Sequence, residues 1–307
     1  MEPMIIVVAP GQGSQTPGFL EPWLEDAQSR DRLGALGESI GVDLVAHGTT
    51  SDADTIRDTR IAQPLIVAAS LLSASSLLTG RRDRVGAVAG HSVGEFAAAA
   101  IAGVLSDEDA LSLVGVRGEA MAAAAAEKPT GMSAVIGGDA DALSERLEQL
   151  GLVPANVNGG GQVVVAGELN NLEAFAADPI PGARVIPLQV AGAFHTSYMG
   201  SAVDAVRRAA ETVSVSDPSI RLYTNRDGTV VTSGADFVDL LVGQISSPVR
   251  WDLCMESFAA DGVTGIIELL PGGALTGLAK RALKGVPAVA VKTPADLAAA
   301  IDMLDAA

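Results

Sequence analysis

The sequence predicts an α/β fold: a large domain built on a parallel sheet, interrupted by a small β-α-β-β-α-β unit. Three observations predict it. First, short apolar runs bounded by glycine or proline alternate with helical patterns along the chain, the pattern of a parallel sheet covered by helices. Second, hydrophobic residues make up 48% of the 307 residues and aromatic residues only 3%. The core must then be built from Ala, Val, Leu and Ile, which suits helices packed closely on a sheet better than an aromatic-rich β-sandwich. Third, the rhythm changes between residues 131 and 191, where two short helices are set among four strands. A chain of this length is long for one domain and short for two full-sized ones, so one large core with an insertion is expected.

The elements follow in order. MIIVVAP (4–10) is a short apolar run ended by Pro-Gly, as a buried strand should be. PLIVAASLLSASSLL (64–78) has the length and spacing of a mostly buried helix, with Pro64 allowed in its first turn. VGAVAG (85–90) reads as strand and EFAAAAIAGVL (95–105) as an alanine-rich helix. Ser106 can cap a helix through SDEDALSLVGVRGEAMAAA, with acids in its first turn. Within the insertion, GMSAVIGG is strand and DADALSERLEQLG is an amphipathic helix stopped by Gly151. LVPANVN and QVVVAG are strands around glycines 159–161, ELNNLEAFAAD is helix, and ARVIPLQVA is strand. That order is the split pattern of a ferredoxin-like unit. The large domain is therefore expected at 1–130 and 192–307, with the insertion at 131–191. After it come strand SIRLYTN, a turn at Asp227-Gly228, a helix from near Pro248, strand VTGIIELLPGG and helix ALTGLAKRAL.

Composition excludes several function classes. A net charge of −17 argues against a nucleic-acid partner, which needs basic surface to neutralise phosphates. No unbroken apolar run is long enough to span a bilayer. The N-terminal apolar run is too short for a signal peptide, and an acid stands where a basic start is usual. A cytoplasmic protein without membrane attachment is expected. One cysteine, Cys254, permits no intramolecular disulfide, and with three histidines a Cys/His zinc site is not expected.

GHSVG (90–94) sits between a strand and a helix, which is the setting of a nucleophile elbow. Glycines at 90 and 94 leave room for a sharp bend, and the helix start aims free N–H groups at Ser92. A serine needs a base. His91 is its neighbour, but adjacent side chains on a turn point apart. His47 lies in a polar stretch and reads as a surface residue. His195, in GAFHTSYM, falls at the seam between the lobes, where pockets form. No histidine follows 195, so the late histidine of a standard α/β-hydrolase esterase is absent. Arg117 falls on the apolar face of its helix with Leu113, Val114 and Met121. A buried guanidinium needs an anion, either a structural ion pair or the carboxylate of a substrate. Backbone N–H groups of PGQGSQ (10–15) can form an oxyanion hole with the amide of Val93. Thr16 occupies the place of the third glycine of a dinucleotide fingerprint, which discounts NAD. Gln244 is a polar side chain among apolar residues whose carbonyl oxygen could orient a histidine ring.

PGQGSQ, GHSVGE, the arginine in VRGEAM, GAFH and QISSPVRW stand in the order found in malonyl-CoA:acyl carrier protein transacylases. The chain resembles that family from about residue 5 to 282, and most closely its actinobacterial members. The resemblance implies an α/β-hydrolase-like domain and a serine acyltransferase of fatty-acid synthesis. It implies malonyl-CoA and acyl carrier protein as partners, no metal, and no cofactor of the enzyme's own. Ser92 matches the acylated nucleophile, His195 its base, and Gln244 the group that positions the histidine. Gln12 and Val93 match the oxyanion-hole amides. Arg117 matches the holder of the malonyl carboxylate, and Phe194 the bulky residue that favours malonyl over methylmalonyl groups. A monomer is expected. Polyketide assembly, or a serine thioesterase or other hydrolase, are the alternative uses of such a site. Arg81, Arg82, Arg84, Lys280, Arg281 and Lys284 are candidates for docking an acidic carrier protein.

Overall fold

The computed structural model describes residues 3–307; Met1 and Glu2, including the acid noted at the N-terminus, lie outside the described residues. Among the described residues, eleven strands form two sheets. They are β1 (Ile5–Ala9), β2 (Ala87–Gly90), β3 (Thr130–Gly137), β4 (Val153–Gly159), β5 (Gln162–Glu168), β6 (Ala183–Pro187), β7 (Arg221–Tyr223), β8 (Val230–Val231), β9 (Val249–Arg250), β10 (Gly265–Glu268) and β11 (Ala288–Ala290). The larger sheet has the order β11-β10-β1-β2-β7-β8, parallel throughout except for the last pair. Its central strands are buried on both faces, which is why they read as unbroken apolar runs rather than alternating ones.

The smaller sheet has the order β6-β3-β5-β4-β9. Its first four strands pair antiparallel, with helices Ala140–Leu150 and Leu169–Ala177 between them in sequence. Gly151 ends the first helix at φ 63°, as its position after the last periodic residue predicts. The fifth strand differs from expectation. Val249–Arg250, read from sequence as the start of a helix, pairs parallel with β4 and ties the small sheet to the rest of the chain. The helix begins only at Trp251. Two residues are too short to carry a strand period, so nothing local distinguishes this segment from a helix N-terminus.

Helix Thr59–Leu78 starts five residues before Pro64, capped by the Asp58 carboxylate, which accepts from the Arg60 N–H. Pro64 therefore lies inside the helix and not in its first turn. By length and composition this helix is apolar enough to cross a membrane, but 78% of that span is buried against the rest of the chain. It packs on helices Gly94–Ala102 and Asp107–Glu127. Ser106 caps the latter, accepting from the Asp109 N–H at 2.9 Å. These helices and one face of the larger sheet form the main alanine- and leucine-rich core.

Candidate active site

The GHSVG turn joins β2 to helix Gly94–Ala102 as tightly as backbone allows. A Cβ at Gly90 would lie 2.1 Å from the Gly94 carbonyl carbon, and one at Gly94 would lie 2.3 Å from the Ala9 carbonyl oxygen. Any side chain at either position must push backbone aside. Ser92 sits at φ 52°, a conformation unfavourable to L-residues, which lifts its hydroxyl off the end of the sheet. Three bonds hold it there. Its N–H donates to Asn225 Oδ1 at 2.7 Å, and its carbonyl accepts from the Glu95 N–H and from Gln244 Nε2, both at 3.0 Å.

His195 reaches the same point from 103 residues away. Its Nε2 is 2.6 Å from Ser92 Oγ, and its Nδ1 is 2.9 Å from the Gln244 backbone carbonyl. A carbonyl only accepts, so Nδ1 carries the proton and Nε2 is left to accept from the hydroxyl. Burial, and then the charge of Arg117, push the imidazole down to about 3, so the ring is neutral and free to take a proton. The sequence reading gave the ring-orienting role to the Gln244 side chain, and here the structure corrects it. The backbone carbonyl does the orienting, because the side-chain amide is committed elsewhere. Its Oε1 accepts from Arg117 Nη2 at 2.8 Å, and its Nε2 donates to the Glu95 carboxylate as well as to Ser92.

Arg117 is fully buried. Its Nη1 donates to Gln63 Oε1 at 2.7 Å, and its Nη2 lies 3.4 Å from Ser92 Oγ. Phe96 stacks its ring 5.7 Å from the guanidinium carbon. Among the described residues no carboxylate comes within ion-pairing distance of it, and Nε has no partner. Burial lowers it to about 10, with Glu95 opposing the shift, so it stays charged at neutral pH. A buried cation with spare donors next to a serine hydroxyl has the chemistry to receive an anionic group.

The remaining candidates sort cleanly. Among the described residues the backbone N–H groups of Gln12 and Val93 donate to nothing. The PGQGSQ loop packs against the elbow, so that a Cβ at Gly11 would lie 2.9 Å from the His91 carbonyl oxygen. His91 turns away from Ser92; its Nε2 is 2.8 Å from Asn158 Oδ1 and its ring meets Trp251 edge-on. His47 bonds the Ser51 hydroxyl. Cys254 is buried, and burial raises its thiol well above the usual range. Phe194 is buried in the apolar cluster that also holds Met121, Ala124, Met132 and Met199. Among the described residues no three His, Cys, Asp or Glu side chains converge as a metal site. Sequence reasoning missed Gln63, Glu95 and Asn225. The only signal was a charged Glu at the buried start of an alanine-rich helix.

Residues 6–299 match the acyl transferase domain family. The chain is 52% identical over 298 residues to the malonyl CoA-acyl carrier protein transacylase of Mycobacterium tuberculosis (strain H37Rv), covering 96% of this chain and 98% of that one. The chain belongs to the malonyl CoA-acyl carrier protein transacylase family. The crystal structure of MCAT from Mycobacterium tuberculosis superposes with a TM-score of 0.94 at 51% identity, over 97% of this chain and 99% of that one. A type II PKS acyl-carrier protein in complex with its malonyl-transacylase contains a chain that matches with a TM-score of 0.90 at 30% identity, over 97% and 99%.

This member of the transacylase family carries a cleft of about 630 Å³ between the two sheets. Gln12 and His91 of the large-sheet loops, Asn158 and Gln162 of the small sheet, and Leu278 and Arg281 line it, with His91 bonded to Asn158 where the two sets of residues meet. Helix Ala274–Ala282, which carries Leu278 and Arg281, is fixed by the buried Glu268 carboxylate, which accepts from the N–H groups of Gly273, Leu275 and Thr276 at 2.7–2.9 Å. The six docking candidates part company. Arg81 and Arg84 pair with Asp305, and Arg82 donates to the Ile101 carbonyl. Lys280, Arg281 and Lys284 are exposed on or just after the cleft's helix.

Proposed function

We propose that this chain transfers the malonyl group of malonyl-CoA to the phosphopantetheine thiol of acyl carrier protein, through a malonyl ester on Ser92. The observation that carries the reading is one atom's surroundings. Ser92 Oγ lies 2.6 Å from the His195 imidazole and 3.4 Å from the unpaired Arg117 guanidinium. Nucleophile, base and carboxylate receptor meet at a single point. The names of the relatives supply malonyl-CoA and the carrier protein as the reacting pair.

His195 Nε2 takes the hydroxyl proton as Ser92 Oγ attacks the thioester carbon. The Gln12 and Val93 N–H groups receive the oxyanion; losing one such donor costs on the order of a hundredfold in rate. The tetrahedral adduct collapses, the C–S bond breaks, and coenzyme A leaves as a thiol with the proton from His195. Arg117 holds the carboxylate of the ester, and Phe194 shapes the space beside it. The carrier thiol then repeats the sequence in reverse roles, returning the serine hydroxyl, which is a ping-pong cycle. The enzyme needs no cofactor of its own, since the pantetheine arms belong to its substrates. With the reading go a monomer and a cytoplasmic location; the long apolar helix Thr59–Leu78 spends its surface on the core, which supports only that this helix does not cross a membrane.

Service to a polyketide carrier is the second reading, favoured by the neighbour solved with a type II PKS carrier protein. The test is malonyl-CoA offered with fatty-acid or polyketide holo-carrier proteins, with sedimentation of the free enzyme alongside. Malonyl-carrier formed with a parallel-line kinetic pattern supports transfer. Free malonate released at the same rate with and without carrier would make the protein a hydrolase.

A further inference from the structure

Glu95 is a carboxylate buried to 1% exposure, and the steps above give it no task. Its two oxygens are both engaged by donors. Oε1 accepts from the Asn225 N–H at 2.7 Å, and Oε2 accepts from Gln244 Nε2. Each partner leads to the reacting serine. Asn225 Oδ1 holds the Ser92 N–H, and Nδ2 of the same side chain donates to the Gly90 carbonyl at 2.6 Å. Gln244 presents its backbone carbonyl to His195 and its Oε1 to Arg117. The amide of Gln244 has no choice of orientation. Because Nε2 faces two acceptors, Glu95 and the Ser92 carbonyl, Oε1 must face the guanidinium.

The chain of bonds therefore runs carboxylate, neutral amide, guanidinium. A carboxylate set directly on Arg117 would satisfy the buried cation more simply, but it would neutralise at close range the charge that draws a substrate carboxylate, whereas the neutral Gln244 oxygen takes one Nη2 donor and leaves that charge in place. We propose that Glu95 is the positioning residue behind this enzyme's preference for carboxylate-bearing acyl groups: it supplies the balancing negative charge for Arg117, and Gln244 holds that charge one amide away so that the guanidinium stays open. The inference rests on the malonyl-transfer reading of the site and adds to it the residue that keeps the receptor vacant.

Two variants test it. In Glu95→Gln the new side chain has one acceptor and one amino group for two facing donors. Either the Asn225 N–H or the Gln244 amino group then meets a donor, and relief by rotation of Gln244 turns its NH₂ onto Arg117. The exchange Glu95→Gln with Gln244→Glu restores donor-to-acceptor polarity between positions 95 and 244, although the new carboxylate no longer donates to the Ser92 carbonyl and faces it acceptor to acceptor. The amide at 95 donates to the new carboxylate at 244 and still accepts from Asn225, the Ser92 carbonyl keeps its bond from the residue-95 N–H, and the 244 backbone carbonyl still meets His195. Now, however, a carboxylate sits on Arg117. The measurement is kcat/KM for malonyl-CoA and for acetyl-CoA, with thermal melting of each variant.

The expected result is that the malonyl-to-acetyl ratio drops by about tenfold or more in both variants, chiefly through KM, with melting showing that each variant is folded. Equal losses for the two acyl groups in a folded Glu95→Gln protein would make Glu95 a structural residue only. Recovery of the malonyl preference in the exchange would likewise overturn the spacer role. If Glu95→Gln does not fold, the exchange alone decides. A wild-type enzyme that transfers neither acyl group would instead refute the underlying reading of function, a result separate from either of these.

Discussion

Ser92 and His195, whose side chains meet at 2.6 Å, are also the two non-glycine residues at positive φ among the described residues, at 52° and 61°. Strained backbone on both sides of one hydrogen bond is held only by what surrounds it. At Ser92 that support is Asn225, Gln244 and the helix start; at His195 it is the Gln244 carbonyl and burial. The pair is set before substrate arrives, so its alignment is not part of the barrier.

Arg117→Ala should lower kcat/KM for malonyl-CoA by about a hundredfold or more, on the scale of a lost buried charge-assisted contact, and that for acetyl-CoA by far less. Steady-state kinetics with the two thioesters check it. Losses of similar size for both would make Arg117 a packing residue.

The elbow glycines should tolerate nothing larger. Gly90→Ala, which would place a methyl 2.1 Å from backbone, should cost about 3 kcal/mol or more of stability, beyond ordinary overpacking. Urea unfolding reads this, and an unchanged midpoint would mean that the turn has room the distances deny.

Acidity should separate the base from the carboxylate receptor. His195 is held down to about 3, so it stays neutral well below pH 6.5, and labelling of Ser92 by an uncharged fluorophosphonate should persist at pH 5. Glu95 is pushed up to about 7 by burial, against the bonds from Asn225, Gln244 and Thr224 and the charge of Arg117. Arg226, Arg250, Asp236 and Asp239 line the cavity on its far side, and the Cys254 thiol lies within its field. Its ionised form is present above that value and is lost as pH falls through it. Malonyl kcat/KM should therefore fall on acidification with a midpoint near 7, while acetyl transfer falls less. A shared acid limb for both thioesters and for the label would contradict this assignment.

Charge reversal at Lys280, Arg281 and Lys284 should raise KM for holo-carrier protein, because these cations lie on or beside the cleft's helix. Reversal at Arg81 and Arg84, which are paired with Asp305, should leave that KM within about twofold, the range of exposed local pairs. The opposite pattern would move the docking face to the other cluster.

Much of this was legible in the chain. The caps Ser106 and Gly151 and the bend at Gly90 and Gly94 are local, because each is a short-range contest between backbone and side chain. Arg117 was legible because helical period alone places it among apolar neighbours. What escaped was long-range. Glu95 reaches Asn225 and Gln244 across 130 and 149 residues, and no period encodes such a partnership. The Gln244 side chain was misassigned for the same reason: its amide goes to Arg117 and Glu95, and a backbone carbonyl, which any residue has, takes the histidine. The strand Val249–Arg250 escaped because pairing, not sequence, makes it a strand.

The most direct test is intact-mass analysis of the protein mixed with malonyl-CoA alone, followed by peptide mapping, in the wild type and in Ser92→Ala. One malonyl adduct per chain, mapped to Ser92, absent from the alanine variant and discharged by holo-carrier protein, is the predicted result. An adduct on another residue, or none in a wild type that still makes malonyl-carrier protein, would contradict the serine-ester account.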